Sequence, residues 1–491
     1  MRDQGIGSWP ARRARMSPDQ VAVVHGDREL TYRALSLRAN QVAHVLASLG
    51  VGGGDRVAYL GPNEPRFLET MFGTGLLGAI FVPLNTRLAA PELDYILTDS
   101  GASVLVCATD HALTADVPHV LDPAGYETRV TAAPTTPFDE VVAPDDVAMI
   151  MYTSGTTGRP KGAALSHANI HWNTVNVLID VDIAGDEVTL VNAPMFHVAA
   201  LNQTVLPTFL KGGTVVLDSF DPVRTLATIA ERRVTYLFGV PAMFQAVANT
   251  PEWTVADLSS VRTLICGGAP VPAQVITTYQ DRGLVFLQGY GLTESSPSAL
   301  FLRAAESTRK VGSAGTPCFF TDVRVLDADG DDVPPGVPGE VVLHGPNVMT
   351  GYWGKPAATD DVLSPDGWLR TGDIAVSDED GYLYIRDRVK DVIISGGENV
   401  YPAEVEDALH AHPAVRDCAV IGVPDERWGE VGRAIVVARS PVSPAELLTY
   451  LDGRIARYKI PKTVVFAGEL PRTASGKLLK SALRTTYGEN R

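Results

Sequence analysis

The order of hydrophobic and polar positions predicts buried strands that alternate with helices through roughly the first 300 residues. Several short runs are continuously apolar and end at Gly, Pro or Asp, which is typical of strands buried on both faces. A helix that leads into a further strand is predicted over Phe67–Pro83. We therefore expect parallel sheets covered by helices. The apolar runs are Arg56–Gly61, Ser103–Ala108, Thr189–Pro194, Gly213–Asp218 and Thr235–Pro241.

The pattern changes from Thr316 onward, where short alternating strands are separated by Gly, Pro and Asp turns. This pattern predicts a small antiparallel, β-barrel-like region that continues through Asp380–Arg388. The last ~100 residues combine apolar strands with helices that start at Pro402 and at the capping box Ser443–Glu446. The predicted fold class is α/β, with a large N-terminal domain of parallel-type sheets flanked by helices and a smaller α+β C-terminal domain.

Length, charge and cysteine content narrow the possible functions. The chain has 491 residues, which exceeds what one hydrophobic core usually organises. Its net charge of −16 disfavours non-specific binding to nucleic acid, which depends on Lys and Arg. The four cysteines lack metal-ligand spacing, and no apolar run reaches the ~20 residues that span a bilayer. We therefore predict a cytoplasmic protein without a secretory signal, an integral membrane contact or a nucleic-acid partner.

A loop rich in glycine and hydroxyl side chains follows the apolar strand that begins at Val147. Backbone N–H groups, hydroxyl donors and the ammonium of Lys161 could together bind phosphate oxygens. The loop is not of the Walker A type, because two residues separate Gly158 from Lys161. The phosphate-binding candidates are Thr153, Ser154, Gly155, Thr156, Thr157, Gly158 and Lys161.

Together with six further motifs in order, this loop closely resembles the adenylate-forming superfamily of acyl-CoA synthetases, luciferases and peptide-synthetase adenylation domains. The resemblance covers nearly the whole chain. It implies that ATP activates a carboxylic acid as its acyl-adenylate, and that the acyl group then passes to coenzyme A. It also implies Mg²⁺ as the cofactor that accompanies ATP. The further motifs are Ala193–Leu201, Cys266–Pro270, Gln288–Ser295, Gly367–Asp373, Asp387–Glu406 and Leu470–Lys480.

The resemblance implies a role for each residue of an ATP site. The loop from Thr153 to Lys161 would hold the β- and γ-phosphates and then pyrophosphate. Thr293 would donate to the α-phosphate, and Glu294 would coordinate Mg²⁺, which usually takes one or two carboxylates besides phosphate and water. Asp373 would accept both ribose hydroxyls, and Arg388 would approach the ribose or the phosphate. The candidates for the adenine slot and the stack on the base are Gly268, Ala269, Pro270, Tyr290 and Gly291.

The resemblance also assigns the central catalytic role to Lys477. This lysine would bridge the substrate carboxylate and the α-phosphate, which reduces the repulsion between two anions and stabilises the pentavalent transition state. Small residues before Lys477 indicate an exposed loop. The neighbouring Lys480 is expected to be an inert residue that can serve as a control.

A rotating C-terminal domain is a further implication of the resemblance. Lys390 matches the hinge position, so residues 1–387 would form the N-terminal adenylation domain and residues 388–491 the mobile C-terminal domain. A hinge needs only to absorb a change in φ and ψ, so a lysine is acceptable there. After rotation, Gly396 and Gly397 would leave room for the pantetheine arm of coenzyme A.

The acyl pocket is expected to be apolar. Amino-acid activators of this superfamily usually place Asp directly after the Phe of the fourth motif, and here His197 follows Phe196. The candidate segments contain no Arg or Lys for a second carboxylate. We therefore predict an apolar monocarboxylic acid, which could be fatty, aromatic or polycyclic. His197 is also a catalytic candidate beside Lys477, Thr293 and Glu294. The acyl-pocket candidates are His197, Val198, Ala199, Val240, Met243, Gly267 and Gly291.

Three alternatives remain open from the sequence. The enzyme could pass its acyl group to a carrier protein or a partner enzyme instead of coenzyme A. It could be a non-catalytic nucleotide-binding regulator, although Glu294, Asp373 and Lys477 are all present at their motif positions. A luciferase-type oxidation would share the same first step. The sequence does not indicate an oligomeric state.

Overall fold

A computed structural model describes residues 5–109, 111–138, 140–153, 159–269, 271–396, 398–472 and 478–488. The chain divides into two compact units. The first comprises Met1–Val311, Gly315–Val323 and Leu343–Leu369, and the second comprises Gly312–Ala314, Arg324–Val342 and Arg370–Arg491. Within the described ranges, no helix is both long enough and apolar enough to cross a membrane.

Strands and helices alternate through the first unit, as the hydrophobic pattern predicts. Its strands are β1 (Val21–His25), β2 (Arg28–Thr31), β3 (Arg56–Leu60), β4 (Ile80–Pro83), β5 (Ala102–Cys107), β6 (His119–Leu121), β7 (Val147–Thr153), β8 (Lys161–Ser166), β9 (Val188–Val191), β10 (Thr214–Leu217), β11 (Tyr236–Gly239), β12 (Thr263–Gly267), β13 (Phe286–Gly291), β14 (Ser298–Phe301) and β15 (Thr316–Pro317). Its helices are α1 (Trp9–Met16), α2 (Tyr32–Ser48), α3 (Pro65–Leu76), α4 (Ala90–Ser100), α5 (Pro123–Ala132), α6 (His167–Val181), α7 (Leu206–Lys211), α8 (Pro222–Arg232), α9 (Pro241–Ala248) and α10 (Ala273–Gln280).

Two mixed sheets organise this unit. The larger has nine strands in the order β15-β14-β13-β12-β11-β9-β10-β1-β2, and its six central strands from β13 to β1 run parallel. The other sheet has seven strands, in the order β18-β8-β7-β4-β3-β5-β6, where β18 is Gly351–Tyr352; the strands from β7 to β6 are parallel. The predicted parallel sheets are therefore confirmed. The runs at Arg56, Ser103, Thr189, Gly213 and Thr235 correspond to β3, β5, β9, β10 and β11.

The chain continues through a small sheet into the second unit. A four-stranded sheet has the order β16-β17-β19-β20, and a second sheet, whose main path is β22-β21-β24-β23, also pairs β25 with β24. The remaining strands are β16 (Asp322–Leu326), β17 (Gly339–His344), β18 (Gly351–Tyr352), β19 (Leu369–Ser377), β20 (Leu383–Arg388), β21 (Ile393–Ser395), β22 (Glu398–Val400), β23 (Val415–Asp425), β24 (Gly429–Ala438) and β25 (Thr463–Phe466). The remaining helices are α11 (Pro356–Asp360), α12 (Pro402–His410), α13 (Pro444–Leu451) and α14 (Lys480–Tyr487).

The core of the C-terminal sheet explains why the last part of the chain folds as its own α+β unit. Strands β23 and β24 pair over ten residues each side, and their inward side chains are fully buried against α12 and α13. Val405 and Leu409 supply the apolar face of α12, and Leu447 and Leu451 supply that of α13. The capping box of α13 is present, since Ser443 Oγ accepts from the backbone N–H of Glu446. Packing of these amphipathic helices supplies most of their stability.

Candidate functional site

The predicted phosphate loop connects the two strands of a β-hairpin. Strand β7 ends at Thr153, β8 begins at Lys161, and these two residues pair across the antiparallel ladder. The hydroxyl of Thr153 also donates to the carbonyl oxygen of Lys161 at 3.5 Å. The paired strands thus fix both ends of the loop. Five of its predicted residues lie outside the described part of the chain, namely Ser154, Gly155, Thr156, Thr157 and Gly158.

Tyr352 links two predicted site residues that are far apart in sequence. It lies on β18, which pairs with β8 opposite Ala163. The ammonium of Lys161 is 5.1 Å from the centre of the Tyr352 ring. The Tyr352 hydroxyl donates to Glu294 Oε1 at 2.7 Å. The structure therefore brings the predicted phosphate-binding lysine and the predicted Mg²⁺ ligand together through a residue that the sequence analysis did not select.

The segment that carries Thr293 and Glu294 is a short 3-10 helix, Thr293–Ser295, directly after β13. The backbone N–H of Leu292 donates to Ser295 Oγ at 3.1 Å, and this hydroxyl in turn donates to the Pro297 carbonyl at 2.7 Å. Strand β13 also places the half-buried Tyr290 next to the beginning of this turn. We call residues 293–298 the Glu294 segment.

Buried asparagine side chains hold the Glu294 segment from behind. Asn347 Nδ2 donates to the carbonyl oxygens of Ser295 at 2.9 Å and Ser298 at 2.7 Å. The backbone N–H of Ser298 donates to Asn173 Oδ1 at 3.0 Å, and Asn202 Nδ2 donates to a further carbonyl of the segment at 3.2 Å. These three asparagines are fully buried. Because an unpaired buried carbonyl is costly, this network restricts the segment to one conformation.

The predicted adenine slot and the predicted acyl pocket lie at neighbouring strand ends. Strands β11, β12 and β13 are parallel neighbours, so their carboxyl ends meet at one edge of the sheet. Gly268 and Ala269 follow β12, and Val240 follows β11. A Cβ atom built on Gly268 would be 3.7 Å from Val240, and one built on Gly267 would be 2.8 Å from the Gly289 carbonyl oxygen. Pro270 lies outside the described residues.

Two further acyl-pocket candidates pack on one apolar cluster. Half-buried Ala199 and Met243 pack against a core that includes Tyr236 and Phe238. His197 precedes a π-helix, Ala199–Val205, and its ring lies 4.7 Å from that of Phe196. π-Helices are rare in proteins, and those that occur often lie at functional sites. The sequence pattern did not predict this one. Val240, Gly267 and Gly291 thus lie at the strand ends, and Ala199 and Met243 lie at this cluster, whereas a place for His197 and Val198 in the acyl pocket stays a prediction.

The second unit contains the predicted ribose pair. Asp373 on β19 and Arg388 on β20 are cross-strand neighbours, and Arg388 Nε lies 3.2 Å from Asp373 Oδ1. The Asp373 side chain is 9% exposed, whereas that of Arg388 is 43% exposed. A carboxylate can accept several hydrogen bonds at once, which suits the two hydroxyls of a diol.

The predicted hinge and coenzyme A residues follow in the same unit. Lys390 is exposed in a 3-10 helix, Val389–Asp391. Gly396 has a φ of +61°, and a Cβ atom there would lie 2.6 Å from the Trp428 ring. Its N–H donates to the Trp428 carbonyl at 2.8 Å. Trp428 is a neighbour that the sequence analysis did not anticipate. Gly397 lies outside the described residues.

Lys477 lies outside the described residues, but both ends of its loop are described. Arg472 and Leu478 form an antiparallel bridge, and the N–H of Leu479 donates to the Pro471 carbonyl at 2.9 Å. Both contacts hold the ends of the loop together, so the chain leaves and returns at one place. We call residues 471–480 the Lys477 loop.

Lys480 is not the inert control that the sequence suggested. Its side chain is only 13% exposed, and its Nζ lies 3.0 Å from Glu406 Oε1. Burial opposes the charge of Lys480, yet the carboxylates of Glu406 and Asp387 raise the Lys480 pKa above its usual value. Burial also raises the pKa of Glu406 and that of Asp387. This burial could not be predicted from the residue type, because lysine is almost always at least partly exposed unless its charge is paired.

The geometry around Glu294 fits a magnesium ion. One of its carboxylate oxygens accepts from Tyr352, which leaves the other oxygen for a metal. In the described part of the chain, no group of three His, Cys, Asp or Glu side chains is placed to bind a metal ion. One protein carboxylate is sufficient for Mg²⁺ when phosphates and water supply the remaining ligands.

Comparison with known proteins extends these observations to the whole chain. The model of the AMP-binding enzyme family matches residues 10–353, and that of the AMP-binding enzyme C-terminal domain matches residues 404–477. The chain is 56% identical to a feruloyl-CoA synthase of Amycolatopsis, over 99% of this chain and 100% of that one. It is 42% identical to a long-chain-fatty-acid–CoA ligase of Mycobacterium tuberculosis, over 99% of both chains.

Two further comparisons bear on the acid and on the fold. An indoleacetate–CoA ligase of Aromatoleum aromaticum is 42% identical, over 98% of this chain and 97% of that one. The solved structure of a fatty acyl CoA synthetase of Mycobacterium tuberculosis matches with a TM-score of 0.81 and 40% identity, covering 99% of this chain and 98% of that one.

Proposed function

The chain belongs to the AMP-binding enzyme family, and on that premise we propose that its substrate is an aromatic monocarboxylic acid of the ferulate type. The chain is an AMP-forming acid–thiol ligase of the adenylate-forming superfamily, which uses ATP, Mg²⁺ and coenzyme A to make an acyl-CoA. The observation that carries the choice of acid is the 56% identity with a feruloyl-CoA synthase over both full chains, against 42% for the fatty-acid ligase.

The candidate acyl segments support an aromatic substrate. They present Val240, Met243 and the start of the π-helix, and they contain no Lys or Arg for a second carboxylate. Aromatic rings bury a large apolar area and prefer edge contacts with other rings, and the Phe196–His197 pair offers such an edge. A planar phenylpropenoic acid would fill this site with little loss of conformational entropy.

In the first half-reaction, the acid carboxylate attacks the ATP α-phosphate and pyrophosphate leaves. We assign phosphate binding to the hairpin loop that ends at Lys161, and donation to the α-phosphate to Thr293. Glu294 would hold Mg²⁺, which neutralises charge on the phosphates. Lys477 would lie between the two reacting anions, where its charge is most effective in the transition state. No covalent intermediate on the protein is needed, so catalysis is positioning and charge stabilisation.

We assign binding of the nucleoside part of ATP to residues of four sequence motifs, Cys266–Pro270, Gln288–Ser295, Gly367–Asp373 and Asp387–Glu406. Gly268, Ala269 and Pro270 would line the base, and Tyr290 would stack on it. Asp373 would accept the ribose hydroxyls beside its ion-pair neighbour Arg388. These assignments are proposals that rest on the motif positions and on the contacts of the described residues.

In the second half-reaction, the thiol of coenzyme A attacks the adenylate carbonyl and AMP leaves. A thiol with a pKa near ~8.5 supplies some thiolate at neutral pH, so a strong base is not obligatory. We propose that residues 388–491 rotate about Lys390 between the two half-reactions, and that Gly396 and Gly397 then flank pantetheine. This rotation boundary differs from the division into compact units, which groups Arg370 onward with the C-terminal sheet.

A panel of acids tests the proposed substrate. Purified enzyme would be given ferulate, indole-3-acetate, palmitate and malonate, with AMP and pyrophosphate release measured with and without coenzyme A. We expect kcat/KM for ferulate to exceed that for palmitate by about 100-fold, because a rigid pocket wall rejects a poorly fitting chain by ~1–3 kcal/mol at each mismatch. A higher kcat/KM for palmitate would contradict the proposal while leaving the ligase reaction intact.

The acceptor and the location are proposals of the same kind. The feruloyl-CoA synthase, the fatty-acid ligase and the indoleacetate ligase are all named for coenzyme A, whereas a 36% identical relative is a fatty acid–[acyl-carrier-protein] ligase of Streptomyces coeruleorubidus. A holo carrier protein added in competition with coenzyme A would distinguish the two acceptors. We propose a cytoplasmic location because all four cysteines, each within the described residues, are free thiols.

A further inference from the structure

The Lys477 loop is fastened by an ion pair at each of its ends. At the first end, Arg472 Nη2 contacts both carboxylate oxygens of Asp417 on β23, at 2.9 and 2.7 Å. At the other end, Lys480 Nζ contacts Glu406 Oε1 on α12 at 3.0 Å. The two pairs differ in burial, since the Arg472 side chain is 36% exposed and that of Lys480 is 13% exposed.

The Lys480 contact is part of a connected buried arrangement. Glu406 Oε1 also accepts from the backbone N–H of Val420 at 2.7 Å, so the carboxylate is fixed to both α12 and β23. A buried ion pair of this kind costs desolvation energy and is weak evidence for stability. The pair does fix the direction of the Lys480 side chain, because the carboxylates of Glu406 and Asp387 that compensate its charge lie on one side of it.

Helix α14, which begins at Lys480, also interacts with carboxylates on both sides of the predicted hinge residue. Asp387, just before Lys390, interacts electrostatically with Lys480, and its Oδ2 accepts from the N–H of Ala403 at 2.9 Å. One turn further along α14, Arg484 Nη2 contacts Asp391 Oδ1 at 2.7 Å, directly after Lys390. The start of α14 is therefore tied to carboxylates that flank the hinge position.

We propose that Lys480 is a positioning residue that fastens the Lys477 loop to α12 and to the strand leading into the hinge. Lys480 is three residues after Lys477, so its backbone position sets where the loop ends. A misplacement of ~1 Å in a catalytic group can lower the rate about 100-fold. The proposal goes beyond the proposed function but rests on the role assigned to Lys477 there.

Four variants test this role. Lys480→Met removes the charge and keeps the length of the side chain, and Lys480→Arg keeps the charge. The double variant Glu406→Gln/Lys480→Met removes both charges, and the amide oxygen of the new glutamine can still accept from the N–H of Val420. Lys459→Met is the matched control, because Lys459 Nζ pairs with Glu404 on the same helix at 2.7 and 2.8 Å but lies away from the loop. Each variant is assayed for ATP–pyrophosphate exchange, for transfer from supplied acyl-AMP to coenzyme A, and for its thermal midpoint.

For Lys480→Met we expect a lower thermal midpoint and about a 30-fold lower kcat for adenylation, with the KM for acid unchanged within about twofold. The double variant should recover most of the thermal midpoint but not the adenylation rate. Transfer from supplied acyl-AMP should stay within about twofold of the parent enzyme. Lys480→Arg should retain most of the adenylation rate, and Lys459→Met should retain all of it.

Two results would overturn the proposal. One is a double variant that adenylates at the parent rate, which would make the pair purely structural. The other is a parallel fall of both half-reactions in every Lys480 variant. Lys477→Ala, measured beside them with the best acid of the panel, distinguishes a failure of the role assigned to Lys477 from a failure of the role assigned to Lys480. If Lys477→Ala keeps full exchange, the assigned role of Lys477 fails; if it loses exchange and the double variant does not, the role of Lys480 fails.

Discussion

The Glu294 segment of the first unit and the Lys477 loop of the second are held in place by different chemistry. Neutral amides of Asn347, Asn202 and Asn173 hold the first from behind, and all three are fully buried. Ion pairs hold the ends of the second, a partly accessible one at Arg472 and a largely buried one at Lys480. Buried amides specify one conformation, whereas an accessible ion pair such as that of Arg472 can exchange with water. The difference fits the roles proposed for the two segments, a fixed site for phosphate and Mg²⁺ and a loop that carries the catalytic cation.

The largest effect in this comparison is expected from the cation itself. Lys477→Ala should lower adenylation about 1,000-fold, because removal of one preorganised charge from a developing anionic transition state costs ~4 kcal/mol. Transfer from supplied acyl-AMP to coenzyme A should remain near the parent rate. Pyrophosphate exchange and single-turnover thiol transfer measure the two steps separately. A variant that retained full exchange would contradict the assignment.

The next largest effect is expected from the neutral asparagine amides that hold the Glu294 segment. Asn347→Ala removes two hydrogen bonds to buried carbonyls, so we expect the free energy of unfolding to fall by about 3 kcal/mol. Adenylation should fall as well, because the Glu294 segment is no longer restricted. Urea denaturation of Asn347→Ala beside the exposed Asn249→Ala measures the difference. Equal stability of the two variants would show that the buried network does not constrain the segment.

Buried titratable groups should change the free energy of unfolding with pH in opposite directions in the two units. In the first, burial lowers the pKa of His167 to about 4, and its Nδ1 accepts from the N–H of Ile6 at 3.1 Å. Between pH 6.5 and 4 the unfolded chain binds the proton more readily than the folded one. The free energy of unfolding should therefore fall by about 2 kcal/mol from pH 7.5 to pH 5 through this group.

Burial has the opposite consequence in the second unit. The raised pKa values of Asp387 and Glu406 mean that the folded form binds protons more readily than the unfolded one. Their contribution to stability is present below the unfolded pKa values and decreases as pH rises through the folded ones. Urea denaturation of His167→Gln should show a weaker loss from pH 7.5 to pH 5 than the parent, with the exposed His25→Gln as control. An unchanged pH dependence in His167→Gln would contradict the prediction.

The smallest effect concerns the coenzyme A step. Gly396→Ala places a methyl group 2.6 Å from the Trp428 ring at a φ of +61°, so the local backbone must shift. We expect transfer from supplied acyl-AMP to fall about tenfold, which corresponds to ~1.4 kcal/mol, with adenylation unchanged. Gly453→Ala, at a φ of +78° with no atom within 4 Å, is the matched control for strain alone. Equal effects of both substitutions would remove the argument for pantetheine at Gly396.

Sequence patterns predicted the strands well because burial on both faces requires continuous apolar runs. The runs at Arg56, Ser103 and Thr189 became β3, β5 and β9, with bounds that differ by one to three residues. The parallel order and the adenylate-forming family were likewise predicted correctly. Ordered motifs carried the family assignment, because each combines residue types that only a shared chemistry would keep at that spacing.

The contacts between distant elements could not be predicted in this way. Tyr352 contacts Glu294 only because β18 pairs with β8, and register across 180 or more residues leaves no local trace. Asn347 lies between β17 and β18 and belongs to none of the sequence motifs, so the sequence did not indicate its hydrogen bonds. The burial of Lys480 likewise depends on how α14 packs. The π-helix at Ala199 is a similar case, since one extra residue in a turn does not alter the hydrophobic pattern.

The shared edge of β11, β12 and β13 also indicates how the acid preference of this enzyme could be redesigned. At Gly267 the neighbour is the Gly289 carbonyl, 2.8 Å from any added Cβ atom, so that wall is main chain and resists resizing. At Val240 and Met243, which we propose to line the acyl pocket, the wall would consist of side chains, which can be shortened or lengthened one carbon at a time. Libraries directed at these two positions should therefore yield new acid scopes at little cost to nucleotide affinity.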